Sequence, residues 1–382
     1  MSKHYDVIVV GAGSMGMAAG YFLAKQGKST LLIDAYDPPH TMGSHHGDTR
    51  IIRHAYGEGA QYVPLVLRAQ QLWNELEQES GESLFQQTGV LCAEEPGCTF
   101  VRGVIASAQQ YSLPIEVLDA EEIRYRWKGI TVPDGFTGCF EQSSGVLFSE
   151  TCLSAYRKLA VQYGAELLPY TSVQQIELHP AGATVRANEA AYHADALVLS
   201  AGAWMKQMLD SLDLELALQP TRKAVAWFEA DEALYNPEVF PAFSFNLQGE
   251  DYYGFPSFAG TGLKIGRHDG GQQTDPNQVN REFGAYPEDE GDVRSFLQRY
   301  MPQAAGRLKQ GKICLYTLTP DRDFIIDRHP LYPHVVLTAG FSGHGFKFAS
   351  AVGEIASQLI TAGETPLDIS MFSVGRFATS RP

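Results

Sequence analysis

Six residues near the start of the chain, Gly11-Ala-Gly13-Ser14-Met15-Gly16, constrain the fold more than any other stretch. They follow directly on Tyr5-Asp-Val-Ile-Val-Val10, a short apolar run rich in β-branched residues. They lead into Met17 to Gly27, which reads as a helix closed by a glycine. Thr30-Leu-Leu-Ile-Asp34 reads as the next strand, so the whole is a βαβ unit. In this spacing Gly11 makes the tight turn, Gly13 lets backbone approach a pyrophosphate, and Gly16 lets helix and strand pack closely. The phosphates would sit at the helix N-terminus, where unpaired N–H groups point outward. Asp34, 23 residues beyond Gly11, can accept hydrogen bonds from both ribose hydroxyls and would repel a 2′-phosphate. NADP is therefore disfavoured, and FAD and NAD remain.

The chain has 382 residues, which the usual domain size of roughly 100–200 residues divides into about two domains. Its 44% hydrophobic and 19% charged residues are ordinary for a folded globular protein. With 29 basic and 44 acidic residues the net charge is −15, a field that opposes nucleic acid and anionic membrane surfaces. The apolar run Val7–Val10 is far short of a signal-peptide core, and no run of about 20 apolar residues follows. A cytoplasmic location is expected. Five cysteines without a Cys-x-x-Cys pair argue against a disulfide framework or a structural zinc site and fit a reducing compartment.

After Asp34 comes a loop, residues 37–54, dense in turn formers and charges. Arg50 and Arg53 stand at i and i+3, so on a helical turn both guanidinium groups would share a face for carboxylate or phosphate recognition. His45, His46, Asp48 and His54 could be read as metal ligands, but the interleaved arginines would repel a cation, and no metal is expected. Residues 61–79 show the spacing of one amphipathic scaffold helix with Pro64 in its first turn. Residues 85–149 alternate short strands with one helix near 99–111, and a further helix is expected near 149–163. The apolar strand from Ala194, ending in Gly202 and Trp204, is a second place where backbone could approach a ligand. Residues 218–319 look β-rich, with Lys264 and His268 four apart on a strand pattern and so on one face. Cys314, inside an apolar strand, reads by itself as inert core. Val335 to Lys347 and the residues after it repeat the logic of strand, glycine-rich turn and helix, so a second helix N-terminus would point into the same crevice. No long linker or internal repeat is visible.

These motifs together resemble the amine-oxidising flavoproteins of the monomeric sarcosine oxidase family, which is related to N-methyltryptophan oxidase. The resemblance rests on Gly11–Gly16, on Gly43-Ser-His-His-Gly-Asp-Thr-Arg-Ile-Ile-Arg-His-Ala-Tyr-Gly-Glu58, and on Tyr253-Gly-Phe-Pro with Lys264 and His268. It rests also on Cys314-Leu-Tyr316 and on Gly340-Phe-Ser-Gly-His-Gly-Phe-Lys347, and it runs over nearly the whole chain. It implies an α/β (α+β overall) architecture: a Rossmann-like FAD-binding domain, residues 1–84, 150–217 and 320–382, with an inserted, mostly antiparallel β-sheet substrate domain, residues 85–149 and 218–319. It implies FAD attached covalently at Cys314, and a monomer that oxidises a small N-methyl amino acid with dioxygen to an imine, then formaldehyde, a primary amino acid and hydrogen peroxide.

By the same carry-over Arg53 and Lys347 bind the substrate carboxylate, and Lys264 assists dioxygen reduction. Tyr253 and His268 line the amine pocket, with Ser244 and Tyr316 also facing the substrate and His344 beside it. Arg50 and His46 lie near the flavin ring. Ser14, Met15, Ser44, Val173, Gly202, Trp204, Gly343 and Gly345 join Gly11, Gly13, Gly16 and Asp34 around the cofactor. Such roles are chemically coherent. Hydride leaves carbon only when the amine lone pair is free, and fixed cations favour the neutral amine while pairing the carboxylate. Two departures stand out: Ser244, where a bulkier methionine would lie over the substrate, and Lys128 in place of a proline. The chain ends at Pro382 without a peroxisomal Ser-Lys-Leu, which fits the cytoplasmic expectation. The competing readings are an oxidase of larger secondary amino acids such as N-methyltryptophan, an NAD-dependent dehydrogenase, and a nucleotide-binding protein without turnover.

Overall fold

The structure is a computed structural model that describes residues 3–377. Residues 1, 2 and 378–382, which hold the extreme ends of the expected FAD-binding segments and the terminal Pro382, lie outside it.

The first strand, Lys3–Val10, has four consecutive fully buried residues at its end, the mark of a parallel strand covered on both faces. It pairs in parallel with Thr30–Ile33 on one side and Ala190–Leu199 on the other. Glu166–Leu168 adds to Thr30–Ile33 in parallel, and Val335–Ala339 adds to Ala190–Leu199 in parallel. An antiparallel hairpin, Val173–His179 with Gly182–Ala187, completes most of this eight-stranded sheet. The helix Ser14–Lys25 lies on the sheet and packs between the helices Ser149–Gln162 and Ala349–Thr361. Gly16 permits this approach, since a Cβ there would stand 1.8 Å from the carbonyl oxygen of Gly11.

The second sheet has nine strands. Every neighbouring pair is antiparallel except Ala242–Leu247 with Val90–Glu94. Its strands come from residues 90–141 and 219–318, so the α/β architecture with an inserted, mostly antiparallel sheet is what the chain forms. The helix Glu288–Tyr300 covers one face, where Phe296, Leu297 and Tyr300 pack with Phe243, Phe245 and Tyr252. A small third sheet joins Thr49–Ile52, Gly145–Phe148 and Phe85–Gln86.

Three local expectations need correction. Arg50 lies on the strand Thr49–Ile52 and Arg53 just beyond it, not on a helical turn. In extended chain, i and i+3 fall on opposite faces, and the β-branched pair Ile51-Ile52 favours that conformation. The scaffold helix starts at Val63, after a single 3-10 turn at Ala60–Tyr62. The strand expected to end in Gly202 and Trp204 stops at Leu199, and Gly202–Trp204 form a 3-10 turn.

Candidate active site

A cavity of about 930 Å³ opens between the two large sheets. Its lining includes Gly11, Gly13, Ser14, Met15, Asp34, Ser44, His46, Arg50, Arg53, Val173, Gly202, Trp204, Ser244, Tyr253, Lys264, His268, Cys314, Tyr316, Gly343, His344, Gly345 and Lys347. Of the sequence-derived site residues only Gly16 is absent from the wall. It stands behind the turn, where its lack of a side chain serves packing rather than contact.

One end is built by the βαβ unit. Gly11 has φ +90°, which a side chain resists, and a Cβ there would strike the carbonyl of Ser200. A Cβ on Gly13 would meet nothing nearer than His45 Nδ1 at 3.9 Å, so this backbone is open to the cavity. The Asp34 carboxylate accepts from Ala12 N–H at 2.7 Å and Tyr36 N–H at 2.9 Å, which fixes it at the strand end. Gly202 likewise has no atom within 4 Å of where its side chain would stand. An open glycine backbone at a helix start, beside a fixed carboxylate, fits the pyrophosphate and ribose of FAD.

Farther in, Cys314 is buried on Leu308–Leu318, opposite Lys223 across the antiparallel pair. Burial pushes its thiol up, opposed by Arg50, Lys223 and Lys264. Lys264 is buried, and Nζ donates to Gly47 O at 2.5 Å, Thr49 O at 2.8 Å and Thr49 Oγ1 at 3.0 Å. Burial first, and Arg50 second, hold its pKa well below that of an ordinary lysine. The Arg50 guanidinium donates to the carbonyls of Thr49, Ser44 and His46 and so braces the loop before it. His46 has no partner on either ring nitrogen among the described residues, and burial holds it neutral with a pKa of about 4. The histidines read as possible metal ligands diverge: His54 is bound to Glu141 at 2.8 Å, while His45 accepts from His40 N–H at 3.2 Å.

At the opposite end Arg53 stacks over Tyr56 with its guanidinium carbon 4.4 Å from the ring centre. It also pairs with Glu58. Burial pushes the Glu58 carboxyl up, but Arg53 holds it at about 2. Lys347 Nζ donates to His344 O at 3.0 Å and Tyr56 OH at 3.3 Å, and burial pushes its pKa down to about 7. Burial also holds His344 at about 3 and His268 at about 4, so both are neutral imidazoles at pH 7. The Tyr253 ring lies 6.4 Å from His268, and the His268 ring 5.6 Å from Tyr316. Glu58, Lys223, Asn246 and Asp251 share the same wall and were not singled out from the sequence. Glu58 closes a motif already quoted, but nothing in an irregular loop signals that a residue five away pairs with Arg53.

A nucleotide turn at one end of a crevice, with cations and neutral histidines at the other, is the arrangement of a flavin-dependent oxidoreductase. The chain belongs to the FAD-dependent oxidoreductase family, whose pattern matches residues 6–359. It is 55% identical to monomeric sarcosine oxidase from a Bacillus species, over 100% of this chain and 99% of that protein. It is 44% identical to N-methyl-L-tryptophan oxidase from Yersinia pestis, over 98% and 99% of the two chains. The fold also matches NikD, an unusual amino acid oxidase of nikkomycin biosynthesis, with a TM-score of 0.87 and 23% identity over 97% of both chains. Among the described residues no helix is long and apolar enough to cross a membrane.

Proposed function

We propose that this chain is an FAD-dependent oxidase of sarcosine or a similar small N-methyl amino acid. It would release the primary amino acid, formaldehyde and hydrogen peroxide. The observation that carries the reading is that Arg53 and Lys347 stand in the same cavity wall as Lys264 and Cys314. A carboxylate-binding pair thus faces the place where redox chemistry would occur. The first sheet and its helices, residues 1–84, 150–217 and 320–382, would hold the cofactor. Residues 85–149 and 218–319 would supply the substrate wall. Gly11, Gly13, Ser14, Met15, Asp34, Val173, Gly202 and Trp204 would hold its nucleotide part, and Ser44, His46, Arg50, Gly343 and Gly345 would flank its ring.

FAD, when bound, would supply two-electron redox chemistry between the substrate carbon and dioxygen. The protein's own residues do the rest. Arg53 and Lys347 pair the substrate carboxylate and fix the amine in one pose. Their positive field favours loss of the amine proton, and a tenfold gain in the neutral amine corresponds to about 1.36 kcal/mol. Neutral His268 can accept a hydrogen bond, His344 is held by Tyr56 OH on Nδ1 and by the Arg322 carbonyl on Nε2, and Tyr253 and Tyr316 would close the amine pocket against water. Hydride loss leaves an imine, which water hydrolyses after release. Lys264, anchored on Thr49 and Gly47, would supply positive charge where negative charge develops as dioxygen takes its first electron. Cys314, in the cavity wall, is the residue that would carry a covalent tether to the flavin; Arg50, Lys223 and Lys264 offset part of the upward push of burial on its thiol. A small-molecule substrate, a monomeric state and a cytoplasmic location complete the proposal. The similarity to a monomeric relative supports the second.

Peroxide release measured across sarcosine, N-methylalanine, proline and N-methyltryptophan tests the reading. Turnover of sarcosine is expected. A kcat/KM for N-methyltryptophan well above that for sarcosine would replace it with the larger-substrate oxidase, and turnover of amines lacking a carboxylate would overturn the roles of Arg53 and Lys347.

A further inference from the structure

The hairpin formed by Ala242–Leu247 and Glu250–Phe255 has two chemically opposite faces. Phe243, Phe245 and Leu247 belong to the buried cluster beneath the helix Glu288–Tyr300. Their neighbours by strand alternation, Ser244 and Asn246, face the cavity instead. Across the antiparallel pair Ser244 stands opposite Tyr253, and Asn246 opposite Asp251. All four line the cavity, so the wall is polar at these positions, with Phe255 the apolar residue at the end of the hairpin.

The hydrogen bonds within the wall leave acceptors over. Asn246 Nδ2 donates to Asp251 Oδ1 at 2.8 Å, which fixes the amide orientation, because a carboxylate oxygen cannot donate in return. The second oxygen of Asp251 and the hydroxyl of Ser244 make no hydrogen bond to any described residue. Other charges nearby are already matched. Arg267 donates to both oxygens of Asp269, at 2.9 and 2.8 Å, and Glu58 is held by Arg53. The Lys223 ammonium is occupied by the carbonyls of His268, Asp269 and Gly270. Asp251 is thus a carboxylate in the cavity wall with no cation of its own among the described residues.

Its position ties it to the amine pocket, because its carbonyl accepts from His268 N–H at 2.6 Å. From the Ser244–Tyr253 pair to the Asn246–Asp251 pair is two residues of strand, roughly 7 Å. Arg53, Lys347 and Asp251 line the same cavity, so a substrate held by its carboxylate presents its side chain to the space that Asp251 faces.

We propose that Ser244, Asn246 and Asp251 form a specificity annex that selects N-methyl amino acids whose side chain ends in a hydrogen-bond donor, with an ammonium preferred over a hydroxyl. This rests on the oxidase reading above and specifies its substrate class. A donor would fill the open oxygen of Asp251, whereas a methyl group would strip water from that oxygen and return nothing. Asp251 does not act on the bond being broken; it is a positioning residue for the side chain.

Three near-isosteric substrates test the annex: Nα-methylornithine, N-methyl-5-hydroxynorvaline and N-methylnorleucine, with sarcosine assayed separately by peroxide release. The expected order of kcat/KM is ornithine derivative, then hydroxyl derivative, then norleucine derivative. The first should exceed the last by about 10-fold, the weight of one charge-assisted hydrogen bond. In Asp251→Asn the amide oxygen still accepts from Asn246, so the hairpin keeps its pairing, and the ratio should fall towards one, mainly through KM. Ser244→Ala provides a second variant and should reduce the preference for the hydroxyl derivative. A norleucine derivative turned over as well as the ornithine derivative would overturn the annex, as would a ratio unchanged in Asp251→Asn. Failure of the oxidase reading is a separate result: no peroxide from sarcosine or from any of the three.

Discussion

Nη2 of Arg53 lies 2.7 Å from Oε1 and 2.6 Å from Oε2 of Glu58, so the guanidinium assigned to the substrate is already engaged by a carboxylate of the protein. An incoming carboxylate meets a guanidinium whose Nη2 is already held and whose charge is already paired. Replacing Glu58 by Gln removes the competing charge while keeping the shape. A small carboxylate titrated against the flavin absorbance should then bind about 10-fold more tightly. Weaker binding would show that Glu58 instead holds Arg53 in its productive pose.

Lys347 gives the site a pH dependence. Burial places its pKa at about 7, whereas Glu58 at about 2 and the always-charged Arg53 keep their charges across neutrality. An anion binds the protonated lysine, so affinity for a carboxylate is complete below pH 7 and declines as pH rises through that value. The limit is tenfold per pH unit. Lys347→Met should flatten the profile, and a profile unchanged in that variant would remove Lys347 from the carboxylate site.

Lys264 should matter to dioxygen more than to the amine. Lys264→Met is expected to slow reoxidation of the reduced flavin by about 10²–10³-fold and anaerobic reduction by substrate far less. Its pKa is depressed, so the lysine loses its proton well below the pH of an ordinary lysine, and reoxidation should slow as pH climbs through that point. Equal slowing of both half-reactions would assign Lys264 to substrate binding.

Cys314 is tested without kinetics. Acid precipitation of the protein should bring down a yellow pellet, and of the Cys314→Ala variant a colourless pellet under a yellow supernatant. A yellow pellet from the variant would move the tether to another residue.

Away from the site, Arg222 and Asp289 form a fully buried, two-bonded ion pair with contacts of 2.6 and 2.8 Å. Asp289→Ala leaves a buried cation without its partner and should lower the free energy of unfolding by about 3–5 kcal/mol, read from the urea midpoint. An unshifted midpoint would show that water reaches Arg222.

The sequence revealed those parts of the molecule that depend on local pattern. The glycine spacing and Asp34 read directly as a nucleotide turn, because each of those residues acts through its own backbone or its place at a strand end. Lys264, Cys314 and Lys347 could be placed on strands or turns, but only their family resemblance brought them together. Their meeting depends on sheet register, such as Lys223 opposite Cys314, which no local pattern encodes. The helical pairing of Arg50 with Arg53 failed because spacing was read without the β-branched residues between them. Asp251 stayed hidden for a related reason: an acid on a strand acquires meaning only when the opposite strand shows which charges remain unmatched.

The three-stranded sheet of Thr49–Ile52, Gly145–Phe148 and Phe85–Gln86 has a mechanical consequence. It clasps the segment 87–144 at both its entry and its exit, and the same ribbon carries Arg50 and the Thr49 anchor of Lys264. A crevice whose walls are stitched together at this seam cannot gape like a clamshell about a hinge without tearing backbone hydrogen bonds. Traffic through it must rely on smaller pieces, such as the Arg53–Glu58 pair, while Lys264 stays fixed in the seam.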